Sequence, residues 1–143
     1  MWIRFVIYGL LGWAVEITWT GLGALWRGDP RLPGRTYLWM FIVYGSAALV
    51  LEPVHNLIGP WPWPYRGLVW TFSIFFIEYA AGWLLRELTG VCPWDYTSVR
   101  FSIRGLIRLD YAPAWFVLGL FFERLHRILV ILTPSLMQLL RPQ

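Results

Sequence analysis

Apolar residues in this chain gather into four long runs separated by short polar breaks. A helix needs about 20 mainly apolar residues to cross the hydrocarbon core of a bilayer. The first run is Phe5 to Trp26, bounded by Arg4 and Arg27. The second is Tyr37 to Ile58, and the third is Gly67 to Leu88, with Arg66 before it and Arg86 in its last turn. A fourth starts near Tyr111 and reaches about Leu132, but Glu123, Arg124, His126 and Arg127 interrupt it. The pattern predicts an all-α integral membrane protein, a four-transmembrane-helix bundle with spans at approximately 5–26, 37–58, 67–88 and 111–132. The whole chain, 1–143, is expected to form a single membrane domain. The charges in the last run leave two outcomes. The helix stops near Phe122 and 128–140, broken by Pro134, lies along the membrane surface, or it runs on with its charges at headgroup level.

Breakers mark the connections. Gly28-Asp29-Pro30-Arg31-Leu32-Pro33-Gly34-Arg35 reads as a tight loop. Gly59-Pro60-Trp61-Pro62-Trp63-Pro64-Tyr65 reads as another, too proline-rich for helix, with Trp and Tyr suited to the membrane interface. Thr89 to Asp110 is longer and partly apolar, which predicts a structured, partly re-entrant or interfacial loop between helices 3 and 4. Irregular backbone at that depth survives only where protein or a wet cavity shelters it.

Polar positions inside the runs recur at helical spacing. Gly9, Gly12, Glu16, Thr20 and Gly23 share one face of the first helix, and small residues there let a neighbouring helix approach closely. Gly45, Ala48 and Glu52, followed by His55 or Asn56, form a similar stripe on the second, with Tyr44 beside it. Thr71, Glu78, Ala81 or Gly82, and Arg86 align on the third. Three helices thus each carry one carboxylate on a small-residue face, and a carboxylate at that depth is costly unless it meets a partner or water. Two readings follow. The acids line an intramembrane polar cavity, or buried Glu and Arg tie the helices together. Arg86, Arg104 and Arg108 are the arginines best placed to reach inward.

The loop before the fourth run concentrates the remaining chemistry: Cys92-Pro93-Trp94-Asp95-Tyr96, Arg100, Arg104, Arg108 and Asp110. Asp95 either caps the turn that follows it or serves as a pocket acid beside an aromatic lid. Trp94 and Tyr96 fit either a lid or an interface anchor. The candidate pocket set is therefore Glu16, Glu52, Glu78, Arg86, Trp94, Asp95, Tyr96, Arg104, Arg108 and Asp110. His55 and His126 read as solvating or capping residues.

Composition agrees with a bilayer as solvent. The 143 residues are 58% hydrophobic and 14% charged, against about 25% charged in soluble domains, and mean hydropathy is +0.55. All 12 basic residues are arginine. A GC-rich coding sequence accounts for this; phospholipid headgroups and Arg–carboxylate pairs are the functional alternative. The arginines sit at segment ends and never build a basic soluble face, which excludes a nucleic-acid partner. Seven of them lie in the first and third loops and five on the other side, a slight preference for a cytoplasmic placement of those loops. A lone Cys92 forms no internal disulfide. The first run is too long, and carries Glu16, for a cleaved signal peptide. No Cys/His cluster has metal-ligand spacing, no phosphate-binding GxxxxGK[ST] loop is present, and no nucleophile elbow appears. No cofactor is expected, and any ATP hydrolysis must come from another chain.

Several of these motifs together resemble a known family. Gly12-Trp13-x-x-Glu16, Trp39…Tyr44-Gly45…Glu52 and Glu78…Gly82…Leu85-Arg86 carry part of the likeness. The rest lies in Cys92-Pro93-Trp94-Asp95-Tyr96 with Gly105-Leu106-Ile107…Leu109-Asp110-Tyr111…Trp115-Phe116…Gly119…Glu123. The chain is similar to the transmembrane protein 229 family, whose bacterial relatives are labelled ABC-transporter permeases of the CmpB type. The resemblance covers most of Phe5 to Arg127. It implies a four-span protein of the bacterial plasma membrane, with no established substrate. Three functions stay open: a small transporter or lipid-binding component, working as a homodimer or with a partner membrane subunit; an enzyme acting on a lipid or isoprenoid phosphate; and an accessory scaffold.

Overall fold

A computed structural model of the chain describes residues 2–139. It is 75% helical. The elements in order are α1 (Trp2–Trp26), α2 (Leu38–Ile58), α3 (Trp63–Thr89), a short hairpin of β1 (Ser102–Ile103) and β2 (Ile107–Arg108), a 3-10 turn (Leu109–Tyr111) and α4 (Ala112–Leu139). At about 1.5 Å rise per residue, each long helix reaches or exceeds the ~30 Å of a hydrocarbon core. Three of them, α1 to α3, are long and apolar enough to cross a membrane, with mean hydropathies of 1.3, 1.4 and 1.6. The fourth helix is less apolar.

Two boundaries differ from the sequence expectation. Helix α3 begins four residues before Gly67, inside the proline-rich stretch read as loop. Pro64 falls in the first turn, where the missing N–H has no intrahelical acceptor and the fixed φ already suits a helix. Of the two outcomes open for the fourth run, the helix runs on: α4 does not stop near Phe122, Pro134 does not break it, and it continues past the expected end at Leu132 to Leu139. Its charges do not all meet the same surroundings. Gly119, Glu123, His126, Leu129 and Thr133 form one buried stripe at three- and four-residue steps, while Arg124 and Arg127 are exposed.

The chain divides into two compact units, with the boundary between Val50 and Leu51. In the first, α1 and the first half of α2 interlock along the small-residue stripe. A methyl group placed on Gly12 would lie 2.2 Å from the Tyr44 ring, and one on Gly45 2.7 Å from the Phe5 ring. In the second unit α3 packs on α4 by the same device. Gly67 lies under Phe116, and Gly119 under Trp70. Trp70 is fully buried, with Leu51 and Ile58 beside it and Val54, Ile77, Leu120 and Phe122 around them.

The insert between α3 and α4 is ordered by specific turns. Gly90, at φ 78°, ends α3 in the left-handed conformation and returns its N–H to the Arg86 carbonyl at 3.0 Å. Arg104 and Gly105 both have positive φ (53° and 70°), and the Leu106 N–H donates to the Ile103 carbonyl at 3.0 Å. This is the mirror-image turn that suits a tight hairpin, and it pairs Ser102 with Arg108 and Ile103 with Ile107. Leu106, at the tip, is 1% exposed and lies against Gly82 together with Trp94. The insert therefore folds back on α3.

Candidate functional site

In the second unit, three elements converge on Glu78 of α3. Tyr96 from the insert and the Trp115 indole of α4 face its carboxylate, and the Arg108 guanidinium from β2 adds its field. Glu78 Oε2 is nevertheless buried without a hydrogen-bond partner, and so is Trp115 Nε1. Tyr96 and Trp115 are thus neighbours of the carboxylate, and neither supplies a hydrogen bond to Oε2. Burial, with Glu78 beside it, pushes the Tyr96 phenol above its ordinary range.

Backbone geometry explains why these groups meet. The Tyr96 N–H donates to the Gly105 carbonyl at 2.9 Å, and Trp94 Nε1 donates to the Leu106 carbonyl at 2.8 Å. Both bonds lash the Trp94–Tyr96 segment to the hairpin tip, and the tip rests on Gly82, one helical turn beyond Glu78. Arg108 donates to Asp110 through Nε at 3.0 Å and Nη2, and lies 4.2 Å from the Tyr111 ring centroid and 5.8 Å from that of Tyr96. That salt bridge holds the Asp110 carboxyl below the usual carboxylate range and raises Arg108. Tyr111 is edge-on to Tyr96 and to Trp115, so the arginine caps an aromatic stack that reaches down to Glu78.

Other candidate residues sit around this centre. Arg86 Nη1 donates to the Arg104 carbonyl at 3.2 Å, and Arg104 Nη1 to the Tyr79 hydroxyl at 3.1 Å; together they pin the hairpin to α3. Asp95 turns outward. Its Oδ1 accepts from the Thr97 amide at 2.9 Å and the Thr97 hydroxyl at 2.7 Å, which lowers its pKa and makes it the cap of the turn. Cys92 is half-buried beside Gly82 and Trp94, and burial pushes its thiol up.

The two remaining candidate carboxylates, Glu16 and Glu52, have partners of their own. Glu16, in the first unit, accepts from the Thr36 hydroxyl at 2.6 Å and lies beside Tyr44. Thr20, one turn along, accepts from the Arg35 N–H at 2.8 Å. The loop after α1 is thereby tied back to the polar stripe. Glu52, in the second unit, meets His126, with Oε1 to Nδ1 at 3.6 Å. The two best-formed grooves among the described residues are open and apolar, one on α1 and the other between α3 and α4, and neither has a carboxylate in its lining.

One buried polar set lies outside the sequence candidates. Glu123 is 3% exposed and accepts from Arg66 Nε at 2.8 Å, Arg66 Nη2 at 3.0 Å and Trp70 Nε1 at 2.7 Å. Arg66 also donates to the Trp61 carbonyl at 2.7 Å. The arginine that meets a deeply buried carboxylate is thus Arg66, rather than Arg86 or Arg104. A signal for it existed: consecutive antiparallel helices bring the start of α3 alongside the middle of α4. No solved structure matches the chain. A family model described as "Putative ABC-transporter type IV" matches residues 3–141, and the chain belongs to that family.

Proposed function

We propose that this membrane transporter-like protein is a small transport component whose working centre is Glu78 beneath the Trp94–Tyr96 insert. The observation that carries the reading is the buried carboxylate oxygen left without a partner. One oxygen of Glu78 is buried with no hydrogen-bond partner, although residues of three elements surround it. A group left in that state inside an apolar helix costs free energy, and intramembrane acids are retained mainly where a polar cargo, ion or headgroup meets them. Arg108 and Tyr96 supply a cation and a donor beside it. Phospholipid headgroups and small polar solutes share the chemistry that such a set recognises.

In this reading α4 is the fourth span, its buried polar stripe turned toward protein, and the chain lies in the bacterial plasma membrane. It works as a homodimer or with a partner membrane subunit. With no phosphate-binding loop of its own, it draws any ATP energy from a separate chain. The transmembrane protein 229 half of the resemblance rests on the Trp94-Asp95-Tyr96 block and its continuation. An accessory-scaffold reading is favoured by one observation, the fully engaged Glu123, which behaves as a structural pin.

Native mass spectrometry of the purified full chain, wild type against Glu78→Gln, separates the two. The transport reading expects equal folded yield and subunit number, with a bound phospholipid or solute retained by wild type and depleted in the variant. Equal adducts on both proteins, or loss of folded protein in Glu78→Gln, would count for the scaffold.

A further inference from the structure

The hairpin between α3 and α4 has an apolar face that protein covers only in part. Ile103 pairs with Ile107, and the Leu109 N–H donates to the Phe101 carbonyl at 2.9 Å, which carries the pairing one step further. Alternate and directly opposed positions share a face, so Phe101, Ile103, Ile107 and Leu109 fall together. Ile107 is 7% exposed, whereas Phe101, Ile103 and Leu109 are 55%, 42% and 45% exposed. The face starts against protein and runs out beyond it. Two exposed arginines flank it. The Arg100 guanidinium lies 5.4 Å from the Phe101 ring centroid, and the Arg104 side chain donates to the Tyr79 hydroxyl at 3.1 Å. Neither meets a carboxylate among the described residues. The acids of the insert are engaged elsewhere, Asp110 with Arg108 and Asp95 with Thr97.

Helix α3 sets the depth of this face. Leu106 at the hairpin tip lies against Gly82, which stands about 28 Å along the helix from Trp63 at a rise of about 1.5 Å per residue. The hydrocarbon core is ~30 Å thick. Trp61, Trp63 and Tyr65 are exposed at the start of α3, and such rings settle at a membrane interface. With those rings at one interface, the hairpin tip reaches the other, short of open water. We propose that the hairpin is a docking surface for anionic phospholipid, with Phe101, Ile103 and Leu109 among the uppermost acyl carbons and Arg100 and Arg104 on headgroup phosphates. An interfacial apolar face sinks ~5–10 Å into the boundary between headgroups and chains, and each arginine near an anionic surface strengthens attachment by about fivefold. The surface shares no residue with the Glu78 set, and its test does not use transport.

The full chain in nanodiscs of phosphatidylcholine, alone or mixed with phosphatidylglycerol, tests both halves of the proposal. Amide exchange across 99–104 should slow severalfold in the mixed bilayer. Arg100→Gln/Arg104→Gln should remove that difference, and Arg100→Lys/Arg104→Lys should keep most of it, because a point charge also serves at a phosphate. Should the glutamine pair not fold, Arg100→Gln alone, at an exposed position, should already shrink the difference. Depth is read from a fluorophore on Ile103→Cys in a Cys92→Ser background, which nitroxides near the headgroup should quench most. Equal exchange in the two bilayers would overturn the proposal, as would a lipid dependence that survives the glutamines. Protection reproduced by inorganic phosphate on phosphatidylcholine discs, or quenching that is absent or strongest from nitroxides deep in the chains, would overturn it too.

Discussion

Replacing Arg66 with methionine tests whether the α3–α4 pair depends on its buried ion pair. Arg66→Met keeps a long apolar stem but removes both N–H donors to Glu123, whose side chain is 4% exposed against 23% for Arg66. Removing one partner of a buried pair costs about 3–5 kcal/mol, because the other charge stays buried without compensation. Two features put this case near the lower end: Arg66 is partly exposed, and Trp70 Nε1 still donates to Glu123 at 2.7 Å. The expected loss is about 3 kcal/mol. Removing both charges in Arg66→Met/Glu123→Met eliminates the orphan. It leaves only the Trp70 indole without an acceptor, a cost of about 1–3 kcal/mol. The double variant should therefore be at least as stable as Arg66→Met alone. Reversible unfolding in mixed micelles, run on wild type, both single variants and the double, gives the coupling energy of the cycle. Arg66→Met within about 1 kcal/mol of wild type, or strictly additive single variants, would refute the reasoning.

Three further outcomes follow from particular contacts. Gly119→Ala puts a methyl group 2.1 Å from Trp70 Cβ and should cost at least about 1–3 kcal/mol in the same unfolding assay; Trp70→Phe should not relieve it, since the clash is with atoms both side chains have. Gly105→Val forces a branched residue to φ 70°, with its Cβ 2.7 Å from Thr97 Cγ2. It should loosen the hairpin tip and raise maleimide labelling of the lone Cys92 severalfold, and an unchanged rate would detach Gly105 from the seating of the insert. Asp95 and Asp110 both have lowered pKa values, through the Thr97 hydrogen bonds and the Arg108 pair respectively. A carboxyl with a depressed folded pKa stabilises above its unfolded value of about 3.9 and loses that contribution as pH falls through the folded one. Amide exchange across 95–110, corrected for intrinsic rate, should therefore stay slow down to about pH 4 and quicken below it, and Asp95→Asn/Asp110→Asn should flatten that dependence.

Apolar length alone made α1, α2 and α3 legible, and helical spacing found the glycine stripe that seats Tyr44 on Gly12. Spacing could not show how α4 treats its charges. Glu123 and His126 look like interruptions in a linear reading, yet they fall on the same buried stripe as Gly119 and Leu129, facing α3 and α2. Pro64 misled for a related reason, since a proline reads as a breaker until its place in the first turn is known. The insert was visible as a concentration of aromatic and charged residues. Its partners were not: that Tyr96 meets Glu78 while Asp95 turns to Thr97 depends on the mirror-image turn at Arg104-Gly105. Arg66 was hidden by the habit of assigning terminal arginines to headgroups.

The glycine–aromatic interlocks have a practical corollary for handling the protein. Lipid tails are as oily as leucine, so expulsion from water does little to hold one membrane helix to another. Rings seated directly on bare backbone, as Phe116 is on Gly67 and Trp70 is seen at Gly119, are held by fit, and a greasy surrounding competes with fit poorly. Exchange among detergents of differing tail length should accordingly leave the α3–α4 couple intact. Adding one carbon to either glycine would do what solvent exchange cannot.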